Sequence, residues 1–97
     1  MKGPPLMRVS HVYLKPGKRD EHHELFAAVA ESMKKNCPGV ITMLKANDSE
    51  DPNLVHIYYV AANSQIHEEY TAVMMNPLKN PHMTKQMKMY TLMDATK

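Results

Sequence analysis

The sequence contains no tryptophan, a single cysteine, a single phenylalanine and only three glycines in 97 residues. One cysteine, Cys37, cannot close an intrachain disulfide, so no part of the fold depends on an oxidising compartment. Gly3, Gly17 and Gly39 stand far apart, which excludes a glycine-rich phosphate loop. No apolar run approaches a membrane span. The start of the chain is broken by Pro4 and Pro5 and closed by Arg8, so no signal peptide is expected and a cytoplasmic location is the default. Formal charge is only +2, and Lys79, Lys85, Lys88 and Lys97 are scattered without an RNA-stacking motif, which argues against nucleic acid as a partner.

What is there reads as one small globular domain over residues 1–97, with residues 1–5 expected to be disordered. Hydrophobic residues make up 43% and charged residues 23%, too apolar for a disordered chain. A chain this short buries a modest share of its surface, so its stability margin should be thin. Methionine is the outlier: ten in all, six of them from Met74 onward, giving that end a soft, adaptable apolar surface.

Residues 6–14 alternate as a strand, with Val9, His11 and Tyr13 on one face and Ser10, Val12 and Leu14 on the other. Lys15-Pro16-Gly17 is a turn. Helical spacing follows over about 18–36, where Leu25, Val29 and Met33 recur every four residues beside Phe26. Cys37-Pro38-Gly39 ends that helix, because proline disfavours helical geometry in the residue before it. Residues 40–46 and 54–60 read as an antiparallel pair joined by the polar loop at 47–53. Asn63 or Ser64 caps a second helix, with Ile66, Tyr70 and Val73 on one face, that stops at Asn76-Pro77. Asn80-Pro81 opens a third helix to about Met93, favoured by straight-chain Met, Lys and Gln. The competing reading makes residues 86–95 a fourth strand. If they are helical, residues 94–97 are too short for a normal strand and a sheet edge is left uncovered.

The order β-α-β-β-α is α+β and ferredoxin-like. Lys15-Pro16-Gly17, Cys37-Pro38-Gly39-Val40, Asp51-Pro52-Asn53 and Asn80-Pro81-His82-Met83, in that order over roughly residues 8–93, resemble the antibiotic biosynthesis monooxygenase (ABM) family. The resemblance implies a homodimer in which two sheets face each other as an α+β barrel, helices outside, with a pocket between sheet and helices of each subunit. It also implies one of several activities: cofactor-free oxygenation of aromatic quinols, haem degradation, or isomerisation of small carbonyl compounds. The chain departs from the family's pattern at Ala61-Ala62-Asn63-Ser64, where a tryptophan often precedes the serine, and at Thr71, where a histidine often stands.

Among chemistry-bearing residues, His11 and Tyr13 share a face of the first strand, as do His56 and Tyr58 of the third, and in the resembled fold those strands are neighbours. Such a patch could deprotonate and orient a phenolic substrate, with histidine as base and tyrosine as donor to an oxyanion. The same residues also suit packing at a dimer interface with satisfied polar tips. His82 matches the family's Pro-His pair and is expected either to look into the pocket or to sit at the surface near a cap. Tyr70 is a candidate pocket wall. His22-His23 and His67-Glu68-Glu69 lack a second histidine four residues on, so no metal is expected and both read as solvated helix faces. Cys37 has no local partner that would activate it.

The resemblance therefore implies, as the first expectation, a cofactor-independent monooxygenase of a small aromatic quinol, with no metal or flavin. His11, His56 and His82 are its candidate catalytic residues, and Tyr13, Tyr58 and Tyr70 the candidate substrate-binding ones. The rival readings are a non-catalytic dimeric ligand-binding or assembly module, and a haem-binding protein.

Overall fold

A computed structural model describes residues 3–97. The expectation of disorder over residues 1–5 falls partly outside that range; residues 3–5 carry no regular structure. The elements are β1 (Leu6–Tyr13), α1 (Arg19–Asn36), β2 (Val40–Asn47), β3 (Leu54–Ala61), α2 (Ser64–Met74) and α3 (Met83–Thr91). The fold is α+β and ferredoxin-like, as the sequence suggested.

Local chemistry accounts for the boundaries. Gly17 takes φ +79 in the turn before α1, where the Lys18 N–H donates to the Lys15 carbonyl at 3.2 Å. Acidic Asp20 and Glu21 in the first turn of α1, and Lys34 and Lys35 in its last, complement the helix dipole. Gly39 is needed for room: a Cβ there would come within 2.6 Å of the Ile66 side chain, so its absence lets α2 lie against the start of β2. Asn63 caps α2, its side chain accepting from the Ile66 N–H at 3.0 Å.

The three strands form one antiparallel sheet in the order β1-β3-β2. Register places Arg8, Ser10 and Val12 beside Tyr59, Ile57 and Val55, with Met43 and Lys45 on the other side of β3, on the face that the helices cover. A bulge between Val40 and Thr42 lets β2 keep this parity while leaving Ile41 exposed. The core joins Phe26, Val29, Ala30 and Met33 of α1 to Val40, Tyr59 and Ala61 of the sheet and Met89 of α3.

The opposite face carries Met7, Val9, His11 and Tyr13 of β1, Leu54, His56, Tyr58 and Val60 of β3, and Thr42, Leu44 and Ala46 of β2. No helix among the described residues covers it, and Met7, Val9 and Leu44 are exposed. This is more apolar surface than a lone sheet face usually shows to water.

The C-terminal segment is helical over Met83–Thr91, and a fourth strand survives only as one antiparallel bridge from Leu14 to Met93. The Lys15 N–H donates to the Leu92 carbonyl at 2.8 Å, and the Asp94 N–H to the Tyr13 carbonyl at 2.7 Å. The chain end thus ties down the last part of the β1 edge, although residues 83–91 are helical. Leu14 and Leu92 are buried there.

Candidate functional site

Between the sheet and the helices lies an apolar cavity of about 210 Å³. Its floor is the covered sheet face, Arg8, Ser10 and Val12 of β1 with Met43, Ile57 and Tyr59. Phe26 and Val29 of α1 and Tyr70 and Met74 of α2 form its walls. Gln86, Met89 and Tyr90 of α3, with Met93, close it. The methionine-rich end of the chain therefore supplies much of the lining, as adaptable apolar surface.

The polar groups are few and organised. The Tyr59 ring is buried, and its hydroxyl lies 3.0 Å from His67 Nδ1 on α2. The Tyr70 ring lies beside it, with centroids 4.7 Å apart, and stacks on His67 at 6.5 Å. Burial, more than the neighbouring phenols of Tyr59 and Tyr90, pushes the Tyr70 hydroxyl up to about 12. Burial likewise raises Tyr59, opposed by the positive charge of Arg8. Both phenols stay protonated at neutral pH and act as donors.

Gln86 is almost wholly buried, and its Oε1 accepts from Asn80 Nδ2 at 2.6 Å. Asn80 is itself fixed, because its Oδ1 accepts from the His82 N–H at 3.0 Å and its Nδ2 reaches the Met74 carbonyl at 3.3 Å. Gln86 lines the cavity with its oxygen engaged by Asn80, so its amide nitrogen is the donor it can offer. No carboxylate lines this cavity. Its polar lining is hydroxyls, one amide and one guanidinium, a set that favours a developing negative charge over a positive one.

Of the residues singled out from sequence, Tyr70 lines the cavity. His11, Tyr13, His56 and Tyr58 stand together on the open sheet face, away from it. There His11 and His56 are direct cross-strand partners, with their Nδ1 atoms 2.7 Å apart. His82 occupies the N-cap position of α3 and borders a separate polar groove of about 380 Å³ on the outer side of α1, with Glu31, Lys35 and Pro81.

Two helix faces read as solvated are so only in part: His23, Glu68 and Glu69 are exposed, but His22 and His67 turn inward. His67 is half-buried on Tyr59, and His22 is fully buried, with no hydrogen-bond partner for either ring nitrogen. His22 faces inward with Phe26, four residues on, as part of the buried stripe of α1, while only His23 meets solvent. Burial chiefly, with the positive charge of Lys45 second, brings the His22 imidazole down to about 4. Cys37 is buried, and that burial raises its thiol. Among the described residues no group of three or more His, Cys, Asp or Glu could hold a metal ion, and no helix is long and apolar enough to cross a membrane.

Sequence reasoning passed over Arg8, Ser10, Tyr59 and Gln86, and read His67 as part of a solvated helix face. The signal for Tyr59 was parity: it alternates with Tyr58, and only one of the two can face the helices.

No protein-family model matches the sequence, and no curated protein matches it. Solved structures do match by shape. A candidate antibiotic biosynthesis monooxygenase from Caulobacter crescentus superposes with a TM-score of 0.78 at 14% identity, over 97% of this chain and 83% of its own. A variant of SnoaB, a cofactor-independent oxygenase from Streptomyces nogalater, gives a TM-score of 0.74 at 16% identity, over 95% and 86%. A NIPSNAP family protein from Agrobacterium tumefaciens gives 0.70 at 11% identity, over 94% and 85%. The chain has the fold of the ABM proteins, a fold that NIPSNAP proteins share.

Proposed function

We propose that this ABM-fold chain is a cofactor-independent monooxygenase of a small aromatic quinol, working as a homodimer with the helix-covered cavity as its active site. The observation that carries the reading is the Tyr59 hydroxyl at the cavity floor, held 3.0 Å from His67 Nδ1 beside a largely apolar lining. At about 210 Å³ the cavity is smaller than the roughly 300–1,000 Å³ typical of sites for drug-sized ligands, which suits a small ring system.

In this reading a substrate hydroxyl gives its proton to the Tyr59 oxygen as Tyr59 passes its own proton to His67 Nδ1. The resulting quinol anion is stabilised by the Gln86 amide, the Tyr70 and Ser10 hydroxyls and the charge of Arg8, donors in place before charge develops. The largely apolar lining strengthens each of these interactions. The electron-rich anion then reduces dioxygen directly. A carbon–oxygen bond forms at a ring position, that carbon loses its hydrogen, and the two quinol hydroxyls become quinone carbonyls. The second oxygen atom leaves as water, so the substrate supplies all four electrons and no external reductant is required.

The haem-binding alternative is less favoured, since none of the six histidines lines the cavity to offer an axial imidazole. The open apolar sheet face supports the dimer, because a second copy would shelter it.

The test is oxygen uptake with a panel of one- and two-ring quinols under ¹⁸O₂, with product analysed by mass spectrometry. One labelled atom per product, formed without added metal or flavin, is expected. Quinol binding with no uptake above buffer would leave only the binding-module reading.

A further inference from the structure

The open sheet face holds a three-residue line that the proposed chemistry does not use. Asp48, in the loop between β2 and β3, accepts from His56 Nε2 at 2.8 Å, and His56 Nδ1 meets His11 Nδ1 at 2.7 Å. The imidazoles stand nearly perpendicular, with centroids 4.9 Å apart. Asp48 is held in place by the Asp51 and Glu50 N–H groups, which donate to its other oxygen at 2.9 and 3.1 Å. The Asp51 N–H first, and then His56, keep its carboxyl at about 2, so it is ionised at any pH where histidine titrates.

Hydrogen counting limits this line to two states. With Asp48 ionised, His56 donates Nε2–H to it, and a single hydrogen is shared between the two Nδ1 atoms. One imidazolium fits: either ring can carry it and donate to the other. A second proton puts N–H on both facing nitrogens, where the bond becomes a repulsion between two cations.

The surroundings make that second proton consequential. On either side along β1 and β3 lie Val9 with Tyr58 and Tyr13 with Leu54, while β2 contributes Leu44 and Ala46. The titratable or charged groups facing the pair are Asp48 from the loop, Tyr13 and Tyr58 from its own strands, and Lys97, whose ammonium lies 5.8 Å from the Tyr13 ring centre; β2 contributes none. A two-fold contact sets each face against its own image. Such a face associates with itself when it is apolar and nearly uncharged, and repels itself when each copy adds cations.

We propose that the open face binds a second copy of this chain under proton control, closing while at most one of His11 and His56 is protonated and opening when both are. The inference rests on the homodimer proposed above, and is independent of the oxygen chemistry.

Equilibrium sedimentation of the full chain between pH 8 and pH 5 tests it, with far-ultraviolet circular dichroism at each pH to keep acid unfolding separate. One extra proton per chain on opening makes the dimer dissociation constant rise by up to about 100-fold for each unit that the pH falls while only the open chain holds that proton. The double variant His11→Gln/His56→Gln should dimerise with little dependence on pH, and His11→Gln alone serves if the double variant fails to fold. A wild-type dimer unaffected between pH 8 and pH 5, or variants that keep the wild-type dependence, would overturn the proton control alone. A chain that is monomeric at every pH would overturn the dimer as well.

Discussion

The Tyr59 hydroxyl and His67 Nδ1 lie 3.0 Å apart, joining the floor of a largely apolar cavity to a half-buried imidazole on α2. If His67 is the terminal proton acceptor, His67→Ala should lower kcat for quinol oxidation by about 100-fold, within the range for loss of a general base. Imidazole added to the buffer should restore part of that rate, which a merely structural histidine would not allow. Oxygen-electrode rates with and without imidazole decide it.

His22 makes stability depend on pH. Folded, it stays neutral down to about 4, whereas the unfolded chain takes up the proton near 6.5. Between those values the unfolded state binds more protons, so stability falls as pH drops from 6.5 towards 4, by up to about 3 kcal/mol. His22→Leu, which leaves no orphaned ring nitrogens, should flatten urea midpoints between pH 7.5 and pH 5 relative to wild type. Equal slopes in both proteins would refute this.

Gly39 and Ile66 should be coupled. Gly39→Ala forces a Cβ to within 2.6 Å of the Ile66 side chain and should destabilise by about 1–3 kcal/mol, the usual range for overpacking. Ile66→Ala in the same chain makes space, so the double variant should lose less than the sum of the two single changes. Thermal or urea unfolding of the four proteins completes the cycle.

Asn80→Leu should cost about 1–3 kcal/mol, because it strips partners from the buried Gln86 oxygen and from the His82 N–H. It should also lower kcat for the quinol more than it raises KM, since Gln86, a donor to the developing anion, would lose the bond that orients its amide. Steady-state kinetics beside an unfolding curve separate the two effects.

The strands and helices were legible because proline and glycine punctuate them at Pro16-Gly17, Pro38-Gly39 and Pro77, and because alternation and four-residue spacing are local signals. The Met-Lys-Gln composition of residues 83–91 correctly favoured helix over strand. The site was far less legible. Both faces of β1 and β3 are apolar enough to be a core, so nothing local says which receives the helices; a shift of one residue exchanges Tyr58 for Tyr59 and His56 for Ile57. His11 and His56 lie on the open face, whereas His67, bonded to the cavity's Tyr59, meets it only when α2 is packed on β3. The burial of His22 follows from the rotation of α1, which the conspicuous His22-His23 pair masked.

The most direct test of the cavity as the active site compares three variants at pH 8 for quinol-dependent oxygen uptake. Tyr59→Phe keeps the buried ring and removes only the hydroxyl; His11→Ala alters the open face; His82→Ala alters the outer groove. A fall of about 100-fold or more in kcat for Tyr59→Phe, with His11→Ala and His82→Ala within a few-fold of wild type, is the predicted result. Full activity in Tyr59→Phe together with a collapse in either histidine variant would contradict it and move the chemistry out of the cavity.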